Sequence, residues 1–197
     1  PLVSHLKSLN GYKNESWMEQ GAAIRTTVGH RGLLGSGVYG AAYAHKDHVI
    51  KVYRRDTAYE DFVNFVKKKQ DDPHLPKIYS HKILDSDHNL GVVKMERLEP
   101  LSQEDRSDHY QLLRSPTDMN RLYVWPHKTG LMNHPHNDST VNLQSNMKAY
   151  YPGLHKTFTK LGAIVGNHTL DIHSANIMNR VHPKTGEKTL VLTDPLA

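Results

Sequence analysis

The stretch of sequence that decides the fold is Leu34-Gly35-Ser36-Gly37-Val38-Tyr39-Gly40, followed closely by Val49-Ile50-Lys51-Val52. Glycines in the spacing G-x-G-x-x-G allow a backbone to come close to phosphate groups, and its bare N–H groups can then bind them. Apolar residues on both sides predict strands, so the glycines form the turn of a hairpin. A helix after the glycines would instead indicate a dinucleotide-binding fold. By itself the pattern is equally typical of an ordinary glycine-rich hairpin.

Lys51 is the charged residue inside this apolar strand, and it stands fourteen residues after Gly37. A buried charge costs free energy unless it is paired. Its position therefore indicates either a surface-facing side chain on an edge strand or an amine with a function. In the functional interpretation, Lys51 binds the α- and β-phosphates of ATP from a strand that follows the glycine turn.

The rest of the N-terminal half predicts a small lobe around these two features. Residues 1–28 are predicted to be a helical lead-in. Apolar residues at helical spacing predict a helix over residues 58–69, and alternating patterns predict two more strands over residues 78–84 and 90–95. Five strands with one helix after the third therefore make up a predicted lobe over residues 29–97.

Residues 98–197 predict a second, reduced and mainly helical lobe, so that the whole is an α+β protein. Ser102 and Asp105 have the spacing of a capping box, which predicts a helix start. Two further helices are predicted over residues 141–151 and 154–165. A hairpin is predicted after them, with strands over residues 177–181 and 189–192.

Three polar residues flank the predicted hairpin. Asp171 and Asn176 precede it, five residues apart, and Asp194 follows it. In phosphoryl transfer an aspartate orients the attacking hydroxyl, while carboxylate and amide oxygens suit Mg²⁺. Each of the three also has an ordinary explanation as a cap or loop residue. Their order after the glycine turn and Lys51 favours phosphoryl transfer.

Over residues 33–196 the chain resembles the protein-kinase-like superfamily. Besides the glycine turn and Lys51, the resemblance rests on Leu170-Asp171-Ile172-His173-Ser174-Ala175-Asn176-Ile177-Met178 and on Leu192-Thr193-Asp194-Pro195. Within the superfamily it is most similar to the early serine/threonine protein kinase of short-tailed (podovirus) bacteriophages. The first string is also similar to that of aminoglycoside and other small-molecule kinases.

The resemblance implies a protein-kinase-like bilobal fold, with ATP and Mg²⁺ as cofactors and host proteins as substrates. It implies catalytic roles for Asp171, Lys51 and His173, and metal ligation by Asn176 and Asp194. The residues implied to contact the nucleotide are Gly35, Ser36, Gly37, Gly40, Lys51, Met95, Glu96 and Leu98. Glu60 is implied to contact Lys51 as its helical partner, with Asp61 as the alternative, and Met95 is the expected gatekeeper. The backbone of Glu96 and Leu98 is expected to contact adenine.

The chain departs from the protein-kinase pattern at several points. Thr169-Leu170 precede Asp171 where His-Arg is usual, His173 replaces a phosphate-contacting lysine, and Asp194-Pro195-Leu196 replaces Asp-Phe-Gly. No activation segment follows Asp194 in these 197 residues. A minimal C-lobe of this kind is expected to bind its substrate through residues 102–150, the alternative being a truncated or inactive member of the superfamily.

Composition narrows the class of partner. The formal charge is +5, but the positive residues are scattered, and the lysines at 67–69 are followed, after Gln70, by Asp71 and Asp72. Nucleic acid is therefore not expected as the main ligand. The histidine-rich residues 127–138 suggest either a zinc site or, as we favour, a solvated loop. With no cysteine, no long apolar run and no secretory leader, a cytoplasmic protein without a membrane partner is expected.

Two other functions stay open. A small-molecule kinase would be favoured by an acidic pocket for a cationic substrate, built from Glu99, Glu104, Asp105 and Asp108. A kinase-shaped binding protein that blocks a host factor without turnover is the other alternative. The sequence pattern does not indicate an oligomeric state.

Overall fold

The computed structural model describes residues 32–37, 39–86, 89–108, 148–165, 168 and 175–196. The predicted lead-in over residues 1–28 and the histidine-rich loop lie outside these residues. Of the predicted helix at 141–151, residues 148–151 are described, and residues 148–150 are helical. Contacts divide the chain into two compact units. The first contains the described residues up to Val63 together with Lys77–Arg97, and the second contains Asn64–Pro76 and the described residues from Leu98 onward.

The first unit is built on a five-stranded antiparallel sheet. Its strands are β1 (Leu33–Ser36), β2 (Gly40–His45), β3 (His48–Arg54), β4 (Ile78–Asp85) and β5 (Leu90–Glu96). Their order across the sheet is β1-β2-β3-β5-β4. The long strand β3 is therefore central, with β2 on one side and β5 on the other. This confirms the five predicted strands, and β4 and β5 each end within one residue of the predicted bounds.

The two faces of this sheet have different partners. Because side chains alternate along a strand, Lys51 and Tyr53 point to one face and Val52 to the other. Val52 packs there in a buried cluster with Ala41, Tyr43 and Leu90. The opposite face, which carries Lys51 and Tyr53, packs against a helix.

That helix, α1, runs over Thr57–Lys67 between β3 and β4. It begins where the Asp56 carboxylate accepts the N–H of Tyr59 at 2.8 Å, which satisfies a donor that the first turn leaves unpaired. Its fully buried side chains recur at helical spacing and are Tyr59, Phe62, Val63 and Val66. The helix predicted over residues 58–69 is confirmed, although it ends two residues earlier.

Besides the helical residues 148–150, the described part of the second unit contains two longer helices and a small sheet. The elements are β6 (Glu99–Pro100), α2 (Gln103–Asp108), α3 (Pro152–Val165), β7 (Ile177–Val181) and β8 (Lys188–Leu192). The sheet order is β6-β7-β8, with β7 and β8 forming the predicted hairpin. The two-residue strand β6 was not predicted. No helix among the described residues is long and apolar enough to cross a membrane.

Asp105 joins α2 to the hairpin. Ser102 and Asp105 form the predicted capping box: the N–H of Asp105 donates to Ser102 Oγ at 3.0 Å, and the N–H of Ser102 donates to Asp105 Oδ2 at 2.9 Å. The same carboxylate accepts hydrogen bonds from Lys188 Nζ on β8 at 2.7 Å and from Asn179 Nδ2 on β7 at 3.0 Å. Lys188 and Ser102 together hold the pKa of Asp105 well below its ordinary value.

Residues 73–75, which follow α1 in the chain, form hydrogen bonds with both strands of the β7–β8 hairpin. His74 Nδ1–H donates to Leu190 O at 2.8 Å, and the N–H of Leu192 donates to His74 O at 3.0 Å. The guanidinium of Arg180 donates to Pro73 O at 2.6 Å and to Leu75 O at 2.8 Å. These bonds fix the hairpin to a stretch more than one hundred residues earlier in the chain.

Asp72 ties the same segment to α3. Thr157 Oγ1 donates to its carboxylate at 2.6 Å, and Lys160 Nζ approaches its other oxygen at 3.1 Å. Burial alone would raise the pKa of Asp72, but the bonds from Thr157, Lys160 and the N–H of His74 outweigh it and lower the pKa. Asp72 is therefore charged in the folded protein near neutral pH.

Candidate functional site

The glycine-rich segment forms the turn between β1 and β2, as predicted. The N–H of Gly37 donates to Gly40 O at 2.9 Å and closes the turn, and the N–H of Arg54 donates to Tyr39 O at 2.8 Å. Ser36 pairs with Ala41 at the last register position of β1. The turn is thus attached to the end of the strand that carries Lys51.

The three glycines of this turn have different surroundings. A Cβ at Gly35 or Gly37 would meet nothing within 4 Å, so the space above both backbones is open. A Cβ at Gly40 would lie 2.6 Å from Val52 O, which is closer than real Cβ contacts allow. Gly40 is therefore required by the packing of β2 on β3. Gly35 and Gly37 leave room in which a ligand can approach the backbone.

Lys51 lies on the central strand β3, opposite Ala42 on β2 and Val93 on β5. This position excludes the edge-strand explanation for the lysine. Its ammonium lies over the ring of Tyr59, with Nζ 3.3 Å from the ring centroid. An aromatic face attracts a cation, because the face carries the negative part of the ring quadrupole.

Tyr59 is held firmly in this place. It is fully buried, and its hydroxyl donates to Met95 Sδ on β5 at 3.8 Å. Its ring meets Tyr53 edge-on, with centroids 5.2 Å apart and planes at 71°, a favoured arrangement of two aromatic rings. Met95, the expected gatekeeper, is itself buried.

Glu60 is half-buried on α1, one residue after Tyr59. Burial of Tyr53, together with the negative charges of Glu60 and Asp56, raises the pKa of the Tyr53 phenol well above its ordinary value. Glu60 thus acts electrostatically on Tyr53. Its expected pairing with Lys51, and that of Asp61, stay predictions.

The segment expected to contact adenine begins at the end of β5. The N–H of Glu96 donates to Lys77 O at 2.9 Å, and the Glu96 carboxylate accepts the N–H of Lys77 at 2.7 Å. Glu96 is therefore fixed against the residue that precedes β4. Leu98, two residues later, is half-buried. The expected adenine contacts of Glu96 and Leu98 stay predictions.

The two expected metal ligands stand at the same end of the β7–β8 hairpin. Ile177 pairs with Leu192, and the N–H of Thr193 donates to Asn176 O at 2.9 Å. Asn176 therefore immediately precedes β7 where Asp194 follows β8 by two residues. Among the described residues, no group of three or more His, Asp or Glu side chains is arranged to hold a metal ion.

Other candidates cannot be placed. Asp171 and His173, two of the three catalytic candidates, lie outside the described residues, as do His127, His134 and His136. Within the described parts of the chain, the first unit contributes the glycine turn, Lys51 and Met95. The second contributes Asn176 and Asp194.

Sequence analysis did not assign a role to Tyr59. The signal was present, because Tyr59 belongs to the apolar set that predicted α1, and the same periodicity puts it on the buried face. Neither a protein-family model nor a curated protein matches this chain.

Proposed function

We propose that the protein is an ATP- and Mg²⁺-dependent phosphotransferase with a protein-kinase-like bilobal fold. The phosphoryl acceptors are serine or threonine hydroxyls of proteins. The enzyme is of the same type as the early phage kinase that modifies host proteins. ATP provides the phosphoryl group, and Mg²⁺ neutralises charge on its phosphates.

The observation that carries the proposal is the position of Lys51. It lies on the central strand of the five-stranded sheet, one strand from the glycine turn and on the face covered by α1. The order β1-β2-β3-β5-β4, with a helix between β3 and β4, supports the same proposal. A glycine-rich hairpin without a phosphate ligand does not account for an amine held at this place.

The residues present suit the two cofactors. The open space above Gly35 and Gly37 leaves their backbone accessible to phosphate oxygens. Asn176 and Asp194 offer an amide and a carboxylate oxygen from one end of a hairpin, which are hard ligands of the kind that Mg²⁺ takes beside phosphate and water. Lys51 adds a positive charge for the α- and β-phosphates.

In this proposal Asp171 accepts the proton of the substrate hydroxyl. The hydroxyl oxygen forms a bond to the γ-phosphorus while the bond to the β-phosphate oxygen breaks, and ADP leaves. His173 donates a hydrogen bond to a phosphate oxygen. Most of the rate acceleration comes from positioning and charge neutralisation, since the transferred group needs little covalent help.

A protein substrate is preferred over a cationic small molecule for one structural reason. The small-molecule alternative relied on an acidic pocket that included Asp105. That carboxylate is buried and bound by Lys188, Asn179 and Ser102, so its charge is already compensated inside the protein.

The test is transfer of labelled γ-phosphate from ATP, with Mg²⁺ and a bacterial extract, by the wild type and by Asp171→Ala and Lys51→Met. Lys94→Met is the matched control, because Lys94 is also half-buried in this sheet but points to the opposite face. We expect labelled proteins with the wild type and Lys94→Met only.

Each other result excludes the proposal in a different way. ATP binding without labelling would replace it by the binding-protein alternative. Labelling of added aminoglycosides but not of proteins would replace the substrate class. Equal labelling by Lys51→Met and the wild type would remove the role assigned to Lys51.

A further inference from the structure

The contact between Lys51 and Tyr59 joins the central strand to α1. Nζ lies 3.3 Å from the ring centroid, well inside the range in which a cation and an aromatic face attract each other. Tyr59 is fully buried and Lys51 half-buried, so little water competes with the contact. The attraction is stronger under such conditions than at an exposed site.

The ring of Tyr59 is fixed from several directions. The Asp56 carboxylate holds its N–H at the start of α1, and its hydroxyl donates to Met95 Sδ. The rings of Tyr53 and Phe62 lie 5.2 and 6.2 Å away between centroids. A ring packed in this way keeps one orientation, and so it presents a constant surface to the ammonium.

The stem of Lys51 is restricted as well. β3 is hydrogen-bonded on both sides, and the residues opposite Lys51 are Ala42 and the fully buried Val93. The side chain leaves the sheet on the face that α1 covers. Its end meets the Tyr59 ring there.

We infer that Tyr59 is a positioning residue for Lys51, holding the ammonium by its ring face in the orientation that receives a nucleotide phosphate. A neutral ring attracts the ammonium without adding a negative charge of its own, so this contact orients Lys51 without neutralising it. The inference rests on the proposed function for the phosphate, but the contact itself can be tested without nucleotide.

The first measurement is the NMR signal of the Lys51 Cε methylene group. Protons above an aromatic ring are shifted upfield by its ring current. We expect an upfield Lys51 signal in the wild type and in Tyr59→Phe, which keeps the ring. Tyr59→Leu should return it to the position of an exposed lysine. Phe65→Leu is the matched control, because Phe65 is a buried aromatic residue on the same helix, six positions beyond Tyr59.

The second measurement is ATP affinity by calorimetry on the same folded variants. Loss of a largely desolvated cation–π contact should weaken ATP binding about tenfold in Tyr59→Leu. Tyr59→Phe should bind as the wild type does, and Phe65→Leu should match it once its stability has been checked. Rescue by phenylalanine separates the ring face from the hydroxyl.

The two measurements fail separately. A Lys51 signal that is ordinary in the wild type, or unmoved in Tyr59→Leu, overturns the contact and the inference with it. A lost upfield signal with unchanged ATP affinity overturns the positioning role. A wild type that shows the upfield signal but binds no ATP overturns the proposed function, and with it any role of Tyr59 toward phosphate.

Discussion

The ring of Tyr53 on β3 lies directly over the backbone of Gly91 on β5. The two residues are register partners, and a Cβ on Gly91 would overlap the end of the ring that carries the hydroxyl. The hydroxyl shares a hydrogen bond of 2.7 Å with His81 Nε2 on β4, and Tyr53 is fully buried. Gly91 is therefore the residue that allows this ring to cross the sheet.

Replacing Gly91 by alanine should destabilise the fold by about 1–3 kcal/mol, because the added methyl group forces the buried ring or the strand to move. Urea unfolding measures this free energy. Gly35→Ala is the control, since its Cβ meets nothing within 4 Å, and it should change the stability by no more than about 0.5 kcal/mol. Equal stabilities of the two variants would contradict the packing described.

The glycine turn should separate stability from binding. Gly40→Ala places a Cβ against Val52 O and should lower the free energy of unfolding by about 1–3 kcal/mol. Gly37→Ala enters open space and should leave stability unchanged, yet weaken ATP binding about fivefold, because its methyl group occupies the phosphate approach. Calorimetry with ATP measures the predicted loss of affinity in Gly37→Ala. Normal ATP affinity in Gly37→Ala would mean that the phosphates lie elsewhere.

The stability of the second unit should depend on pH through Asp72. The pKa of Asp72 is lower in the folded state than in the unfolded state, so the charged form is the one that the fold binds. Its contribution is complete above the unfolded pKa, near 3.9, and is lost as the pH falls through the folded pKa. We expect Thr157→Val to cost about 1–3 kcal/mol at pH 7, and the difference from the wild type to shrink below about pH 4.

Thr159→Val is the control for this measurement. Thr159 is exposed on the same helix and donates to His155 O within α3, away from Asp72. Its effect on urea unfolding should be small and independent of pH. A cost of Thr157→Val that stays constant between pH 7 and pH 3 would show that the charge of Asp72 is not what the hydroxyl stabilises.

Phosphate transfer should require Mg²⁺ bound by Asp194, at the end of the β7–β8 hairpin opposite its turn. Asp194→Ala should raise the Mg²⁺ concentration for half-maximal transfer about tenfold or more, and EDTA should abolish transfer by the wild type. Glu187→Gln, an exposed residue in the turn at the other end of the same hairpin, should change neither value. An unaltered Mg²⁺ requirement in Asp194→Ala would remove this residue from the metal site.

Elements with a strong local pattern could be predicted from the sequence. The short apolar run around Lys51 predicted β3, and the spacing of Ser102 and Asp105 predicted the capping box at the start of α2. Both depend on residues a few positions apart, where geometry follows directly from the period of the element. The hairpin of β7 and β8 was predictable for the same reason.

Features that depend on distant residues could not be predicted. β6 has only two residues, so it has no period, and it exists because Glu99 finds Asn179 on β7 as its register partner. Asp105 and Lys188, which form an ion pair, are 83 positions apart in the chain, so no local sequence pattern predicts their contact. Tyr59 could be placed on the buried face of α1, but that its ring would meet Lys51 depends on how the helix lies on the sheet.

The bonds that fasten the β7–β8 hairpin to residues 73–75 end on main-chain oxygens. Arg180 binds the carbonyls of Pro73 and Leu75, and His74 binds that of Leu190. A carbonyl is present whatever side chain its residue carries, so mutation at an acceptor position leaves the bond in place as long as the backbone keeps its path. Two homologous proteins can therefore keep these hydrogen bonds while differing in sequence at most acceptor positions. Their relationship in this region would then be detectable by comparing their structures after sequence similarity had been lost.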